Sequence, residues 1–307
     1  PTYQTDFEAG DTSSQVTSQQ YSVIQVGATE TSLGITEDVT TTVYDRNPAF
    51  DGTAESGVDT SVTGKLGNAW GFDGSTDSGV VTGLTQNLGQ QFSVAFWVQY
   101  GTVSNWGNVV MGKGSSDGSE EFISYLDGDS TISGESTPHT GLDSGIVPTA
   151  DTWYHVVYTN DGDADGGGAN GGEYKQYVNG DLKHTSTTTW GDGVNNFGTE
   201  PFVLAETHDA TSNPSRIFHG ILDQVLVYDD ILTLAEVEAL YNSGNGDTTP
   251  DGGDLLAHYD FEQSGTTLEN QIYDVPRDVT TKQLANPLIE DTYADASDEW
   301  HHYAYTR

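Results

Sequence analysis

The chain has 307 residues, room for one large all-β domain or two ordinary ones, and sets 47 Asp plus Glu against 9 Lys plus Arg, a formal net charge of -38. Such self-repulsion opposes compaction in ordinary buffer but is screened at about 1 M salt, where the Debye length is about 3 Å; the composition therefore points to a salt-saturated environment, with calcium loading of the carboxylates as the other remedy. The charge excludes nucleic acid and anionic membranes as partners of this surface, the lack of Cys excludes disulfides and thiol chemistry, and no run of about 20 apolar residues is present to span a bilayer.

The first residues, "PTYQTDFEAG", lack the basic and apolar regions of a signal peptide, and a leading Pro suits removal of an initiator Met. There is no Asn-x-Ser/Thr sequon, since Asn213 is followed by Pro214. Two histories fit: export by another route or prior processing, and synthesis in the cytosol with release in a virus particle. The missing sequon favours the second. Residues 1–49 are rich in Ser, Thr and Val and read as a strand-rich arm with the first strands. Further strands are expected at "FSVAFWVQY" (92–100), "YHVVYT" (154–159), "FVLAE" (202–206) and "IFHGILDQVLVYD" (217–229), separated by Gly, Asp, Asn and Ser clusters. Asn179-Gly180 within "YVNGDLKHT" predicts a tight hairpin. One helix is expected at "TLAEVEALYNSG" (233–244): Thr233 and Glu236 suit a capping box, Leu234, Val237, Leu240 and Tyr241 share a face, and Gly244 can close the end. "NGDTTPDGGD" (245–254) has linker composition.

Across that linker the sequence repeats. "TDFEAGD" (5–11) matches "YDFEQSG" (259–265), "VYDRN" (43–47) matches "IYDVPRD" (272–278), and "TWYHVVYTN" (152–160) matches "EWHHYAYTR" (299–307), all in the same order. The expected organisation is an arm at 1–49, a domain at 50–244, a linker at 245–254 and a partial or truncated second copy of the unit at 255–307. Half a unit leaves open strand edges and too little core to stand alone. Either the natural chain continues past Arg307, the favoured reading, or the half-unit donates strands to the first domain or to a neighbouring subunit.

"GKLGNAWGFDG" (64–74), "FSVAFWVQ" (92–99), "TWYHVVYTNDG" (152–162), "YVNGDLK" (177–183) and "FHGILDQVLVYDDILTLAEVEALYNSG" (218–244) together resemble the laminin-G-like, concanavalin A-like lectin/glucanase jelly-roll family. The resemblance implies an all-β fold, a two-sheet antiparallel jelly-roll sandwich with one short helix. It also implies a role that is usually non-catalytic, in adhesion, carbohydrate binding or virion surfaces.

Metal candidates are two. Asp161, Asp163 and Asp165 before Gly166 give a D-x-D-x-D-G spacing that lets alternate carboxylates converge on a hard cation, calcium, although Glu173 falls one residue too late for an EF-hand. A solvated acidic loop is the alternative. In a jelly roll an early and a late strand lie side by side, so Glu8 and Asp223 are expected to share an ion, against the plainer reading of carboxylates that cap backbone. For glycans the chemistry wants exposed aromatic faces beside hydrogen-bonding amides and carboxylates. Trp106 and Trp190, in loop-like contexts with Asn105, Asp192, Asn195 and Asn196 nearby, are the expected ligand contacts. Trp97 and Trp153 fall in strand motifs and read as core. His139, His208, His219 and His258 show no two-His metal spacing, and His155, His301 and His302 read as structural.

No Glu-x-Asp-x-x-Glu run, Gly-x-Ser-x-Gly elbow, phosphate loop or His-Glu-x-x-His occurs, and Glu120-Glu121 point to opposite faces of a strand. The expectation is therefore no enzyme. It is a lectin-like adhesion or receptor-binding protein on a haloarchaeal virus particle or cell surface, facing a cell-surface glycan or glycoprotein and oligomeric within an assembly. The alternative is a structural virion decoration, tail or capsid protein that contacts other virion or surface-layer proteins.

Overall fold

The computed structural model describes residues 14–15, 41–45, 48–75, 79–89, 91–103, 107–115, 119–136, 141–161, 172–188, 200–206, 217–248, 250, 254–272 and 277–279. They belong to two compact units, one drawn from residues 1–46 and 273–307 and the other from 47–272. The strands are β1 (Ser14–Gln15), β2 (Thr41–Asp45), β3 (Gly52–Ala54), β4 (Val58–Thr63), β5 (Asn68–Asp73), β6 (Val80–Thr82), β7 (Gln91–Tyr100), β8 (Gly107–Ser115), β9 (Ser119–Leu126) and β10 (Ile132–Glu135). There follow β11 (Leu142–Asp143), β12 (Trp153–Asp161), β13 (Gly172–Val178), β14 (Asp181–Thr188), β15 (Phe202–Leu204) and β16 (His219–Tyr228), then the helix α1 (Leu234–Tyr241), β17 (Leu255–Tyr259), β18 (Thr267–Leu268) and β19 (Arg277–Val279). In the first unit β2 pairs antiparallel with β1 and with β19.

The second unit is the jelly-roll sandwich that the sequence predicts. One sheet runs β11-β10-β9-β8-β15-β6-β3-β18, and the other runs β14-β13-β12-β7-β16-β5-β4 with β17 also on β16; all pairings are antiparallel. Side chains of both sheets meet in one core, where Phe92 of β7 lies edge-on to Phe122 of β9 and Phe122 stacks on Phe202 of β15.

β7 reads as a continuous apolar run because both of its faces are covered. Phe92, Val94, Phe96, Val98 and Tyr100 enter the central core, while Ala95 on the opposite face joins a second cluster with Val157, Leu226, Leu232, Val237 and Leu240 beneath α1. The helix begins with the predicted capping box: Glu236 N–H donates to the Thr233 hydroxyl, and Thr233 N–H donates back to Glu236 Oε2 at 2.7 Å. It ends differently from expectation, on Asn242 at φ 45° and not on Gly244, because Asn tolerates the left-handed region well enough to stop a helix. Leu234 is also half exposed at 50%, since Leu232 just upstream fills the place under the first turn. The Asn179-Gly180 hairpin forms as predicted, with φ of 55° and 81°, the signs of a type I′ turn.

The boundary expected at residue 244 lies elsewhere. Residues 255–272 complete the sandwich of the first domain. β17 pairs with Val225–Tyr228 of β16, β18 pairs with β3, and Ala257, Tyr259, Phe261 and Leu268 are fully buried in the central core. The reason is an available edge: β5 covers β16 only as far as Leu222, and the alternating "LLAHY" fits the remainder. Residues 281–307, including the repeated "EWHHYAYTR", lie outside the described residues.

Phe261→Ala should therefore cost about 3–5 kcal/mol, as for a central core aromatic. Denaturant unfolding followed by Trp fluorescence measures it, and a loss below about 1 kcal/mol would place the segment at the periphery.

Candidate functional site

One side of β16 is shared by two strands. β5 pairs with His219–Leu222, β17 pairs with Val225–Tyr228, and the register shifts between Asp223 and Leu226. Asp223 and Gln224 thus stand at the handover in a bulge, Gln224 with φ 49°. Gln224 Oε1 lies 2.9 Å from His258 Nε2 on β17.

Asp223 is fully buried against the turn that joins β4 to β5. Its Oδ2 accepts from the Leu66 N–H at 2.8 Å, and its Oδ1 has no partner. Within that turn Gly64 N–H donates to Gly67 O at 3.0 Å, and Gly67 sits at φ 64°. A Cβ at Gly64 would stand 2.6 Å from Asp223 Oδ2, and one at Gly67 would collide with the Glu262 carboxylate, so both glycines are required by close approach. Glu262, just beyond β17, accepts from Asn68 N–H at 3.1 Å and from Asn68 Nδ2 at 3.1 Å. The "GKLGN" turn is therefore clamped by two carboxylates that arrive from separate parts of the chain.

Burial pushes the Asp223 carboxyl up to about 7; the N–H groups of Leu66 and Lys65 pull it down, and the negative charge of Glu262 pushes it up again. Lys65 of the same turn holds its ammonium 4.8 Å from the Trp97 ring centre, a cation–π contact. Trp97 packs with His155 and Tyr241 at centroid separations of 5.0 and 5.9 Å. Burial drives His155 down to about 3, so it stays neutral and structural, as predicted. Trp97 is core as expected, whereas Trp153 is only half-buried at the start of β12.

The remaining candidates separate clearly. Glu8, Asp163 and Asp165 lie outside the described residues, as do Trp106, Trp190, Asn105, Asp192, Asn195 and Asn196. Asp161 ends β12, opposite Gln91 and Glu173, and accepts from Gln91 Nε2 at 3.2 Å. Glu121, which the sequence pairs with Glu120 as the nearest acidic couple, is buried 3.5 Å from Lys113 Nζ, and its Oε1 accepts from Leu88 N–H at 2.6 Å. Burial raises Glu121 and lowers Lys113, and each charge pulls the other back.

Sequence reasoning paired Asp223 with Glu8 of the first Asp-Phe-Glu copy, and Glu8 lies outside the described residues. The residue beside the turn is Glu262, its counterpart in the repeat; the match of 5–11 to 259–265 was the signal that named it. Among the described residues no group of three or more His, Asp or Glu side chains is arranged to hold a metal.

The fold is a two-sheet antiparallel jelly-roll β-sandwich. Residues 73–238 match the family model described as the concanavalin A-like lectin/glucanases superfamily, and the chain belongs to that superfamily. Three solved structures are similar to it. Domain 4 of AbnA, a GH43 extracellular arabinanase from Geobacillus stearothermophilus solved with arabinotriose, is 22% identical, with 58% of this chain and 78% of that chain covered and a TM-score of 0.43. The native heptameric SAP-like pentraxin from Limulus polyphemus is 15% identical over 75% of this chain and 99% of that one, TM-score 0.43. A putative carbohydrate binding protein from Bacteroides ovatus is 15% identical over 76% of this chain and 62% of that one, TM-score 0.44. A comparison with curated protein sequences finds no match.

The raised Asp223 pKa fixes a sign for the pH dependence. In metal-free buffer the folded state keeps a proton that the unfolded chain loses near 3.8, so this contribution is full below about pH 4 and disappears as pH rises to about 7. Relative to Asp223→Asn, the wild type should lose about 4 kcal/mol across that window, read from denaturant midpoints with chelator present. A constant difference between the two proteins from pH 4 to 8 would contradict it.

Proposed function

We propose that this chain is a non-catalytic, lectin-like adhesion or receptor-binding protein that recognises cell-surface glycans, displayed on a haloarchaeal virus particle or cell surface. Membership of the concanavalin A-like lectin/glucanase superfamily carries the reading. The charge of -38 supports a hypersaline setting, in which self-repulsion is screened. A binding role without catalysis is supported by the use of the buried Glu121, which is taken up by Lys113 and the Leu88 N–H. The sugar contacts are assigned to Trp106 and Trp190, with Asn105, Asp192, Asn195 and Asn196 as hydrogen-bonders, because aromatic faces and planar polar groups complement the two kinds of sugar surface.

In about 1 M salt, the protein should bind intact host-type cells and a subset of arrayed glycans. Trp106→Ala and Trp190→Ala should each weaken binding on the order of tenfold, about 1.4 kcal/mol. Wild-type protein that binds neither cells nor glycans would overturn this reading in favour of a structural virion role.

Calcium is the proposed cofactor, held by Asp223 and Glu262. The supporting observation is the buried, unpartnered Asp223 Oδ1 next to a second negative charge, which a divalent ion would neutralise. Calcium at a hundred times its Kd should stabilise the wild type by about 2.7 kcal/mol over the chelated protein. Asp223→Asn should lose that increment. An increment kept in Asp223→Asn but lost in Asp163→Ala would move the ion to the acidic loop at 161–165.

A further inference from the structure

The helix side of the sheet that carries β7 and β16 is closed over only part of its area. Ala95, Val157 and Leu226 lie beneath α1, and Trp97 in the next row is packed by His155 and Tyr241 and overlaid by Lys65. The row after that is partly open to solvent. In it Trp153 of β12 pairs with Gln99 of β7, Gln99 with Ile221 of β16, Ile221 with Gly71 of β5, and Gly71 with Asp59 of β4. The row faces away from the central core because the neighbouring residues Val98, Leu222 and Phe72 point into it. Trp153, Gln99 and Ile221 are half-buried, and Asp59 is exposed.

Each member of the row brings a different contact. Trp70 packs edge-on against Phe261 and Trp97 packs with His155 and Tyr241, whereas Trp153 has no ring partner among the described residues. Gln99 Nε2 donates to Asp151 O at 3.0 Å, which orients the amide and leaves Oε1 as an acceptor. Ile221 adds apolar surface, as does Val62, whose Cγ2 would stand 2.9 Å from a Cβ at Gly71. Asp59 Oδ1 is taken by the Ser61 N–H and hydroxyl at 3.0 and 2.7 Å, which leaves Oδ2 as an acceptor. On the flank, exposed His219 engages the Thr102 hydroxyl through Nδ1 and keeps Nε2 for another partner. Five strands at about 4.8 Å spacing make the row about 19 Å long. An indole and aliphatic groups interleaved with an amide, a carboxylate and an imidazole match the CH faces and hydroxyl edges that alternate along a sugar chain. The row has a carboxylate and no Lys or Arg in a chain at -38, so it repels anionic ligands. Its mixed polar make-up also lacks the broad apolar centre of a protein interface.

We propose that this row is a binding surface for a neutral oligosaccharide laid across the five strands, with Trp153 stacking on one sugar ring and Gln99, Asp59 and His219 hydrogen-bonding hydroxyls. It rests on the glycan-binding reading above and adds to it a surface made of residues other than Trp106 and Trp190. Strand pairing fixes the spacing of the contacts before the ligand arrives, so little ordering opposes binding. A ligand that covers more of the row makes more of these contacts.

The test is calorimetric titration of the full chain in about 1 M salt. The probes are neutral gluco-, manno-, galacto- and xylo-oligosaccharides, from monosaccharide to hexasaccharide, with oligogalacturonate as the anionic comparator. At least one neutral series should bind, more tightly from monosaccharide to tetrasaccharide, and oligogalacturonate should not. Trp153→Ala should weaken that binding about tenfold and Gln99→Ala about threefold. Gln99 lies outside the core, so its variant decides the matter if Trp153→Ala fails to fold. Affinity independent of length, or preference for oligogalacturonate, overturns the proposal. Wild type that binds cells or arrayed glycans as tightly as Trp153→Ala and Gln99→Ala do also overturns it, and leaves the assignment of Trp106 and Trp190 standing. Wild type that binds no cell, arrayed glycan or oligosaccharide overturns both.

Discussion

The arrangement depends on how β16 divides one edge between two strands. It runs through the middle of its sheet beside β7, and on its other side β5 gives way to β17 at the bulge between Asp223 and Leu226. A regular strand would keep one neighbour along its whole length; the bulge twists β16 and lets the second neighbour in. Asp223 and Gln224 sit where neither neighbour supplies backbone partners, so their side chains turn to the turn before β5 and to His258. The closure of the sandwich, the clamped "GKLGN" turn and the placement of Glu262 follow from that change of neighbour.

The same seam concentrates the electrostatic tension of an acidic chain. With 47 acids against 9 bases, most carboxylates have no basic partner available and are best left in solvent, where salt screens them. Those taken inside are compensated by geometry. Glu121 has Lys113 and the Leu88 N–H, and Lys113 in turn donates to Glu200 O at 2.6 Å. Asp223 has backbone N–H groups on one oxygen only, and its carboxyl rises to about 7. Removing water from a carboxylate while satisfying half of it leaves a site that favours a proton or a cation.

The fold was legible because strands and helix obey local rules. β7 and β16 announced themselves by β-branched and aromatic runs, the hairpin by Asn179-Gly180, and the helix start by Thr233 and Glu236. What escaped was decided at long range. "LLAHYDFE" has the pattern of a strand wherever it is placed, and the fact that it completes the domain before the linker depends on a free edge of β16 that no local signal describes. Asp223 was identified from its strand, whereas the arrival of Glu262 at the same turn rests on the long-range pairing of β17, which no local signal marks.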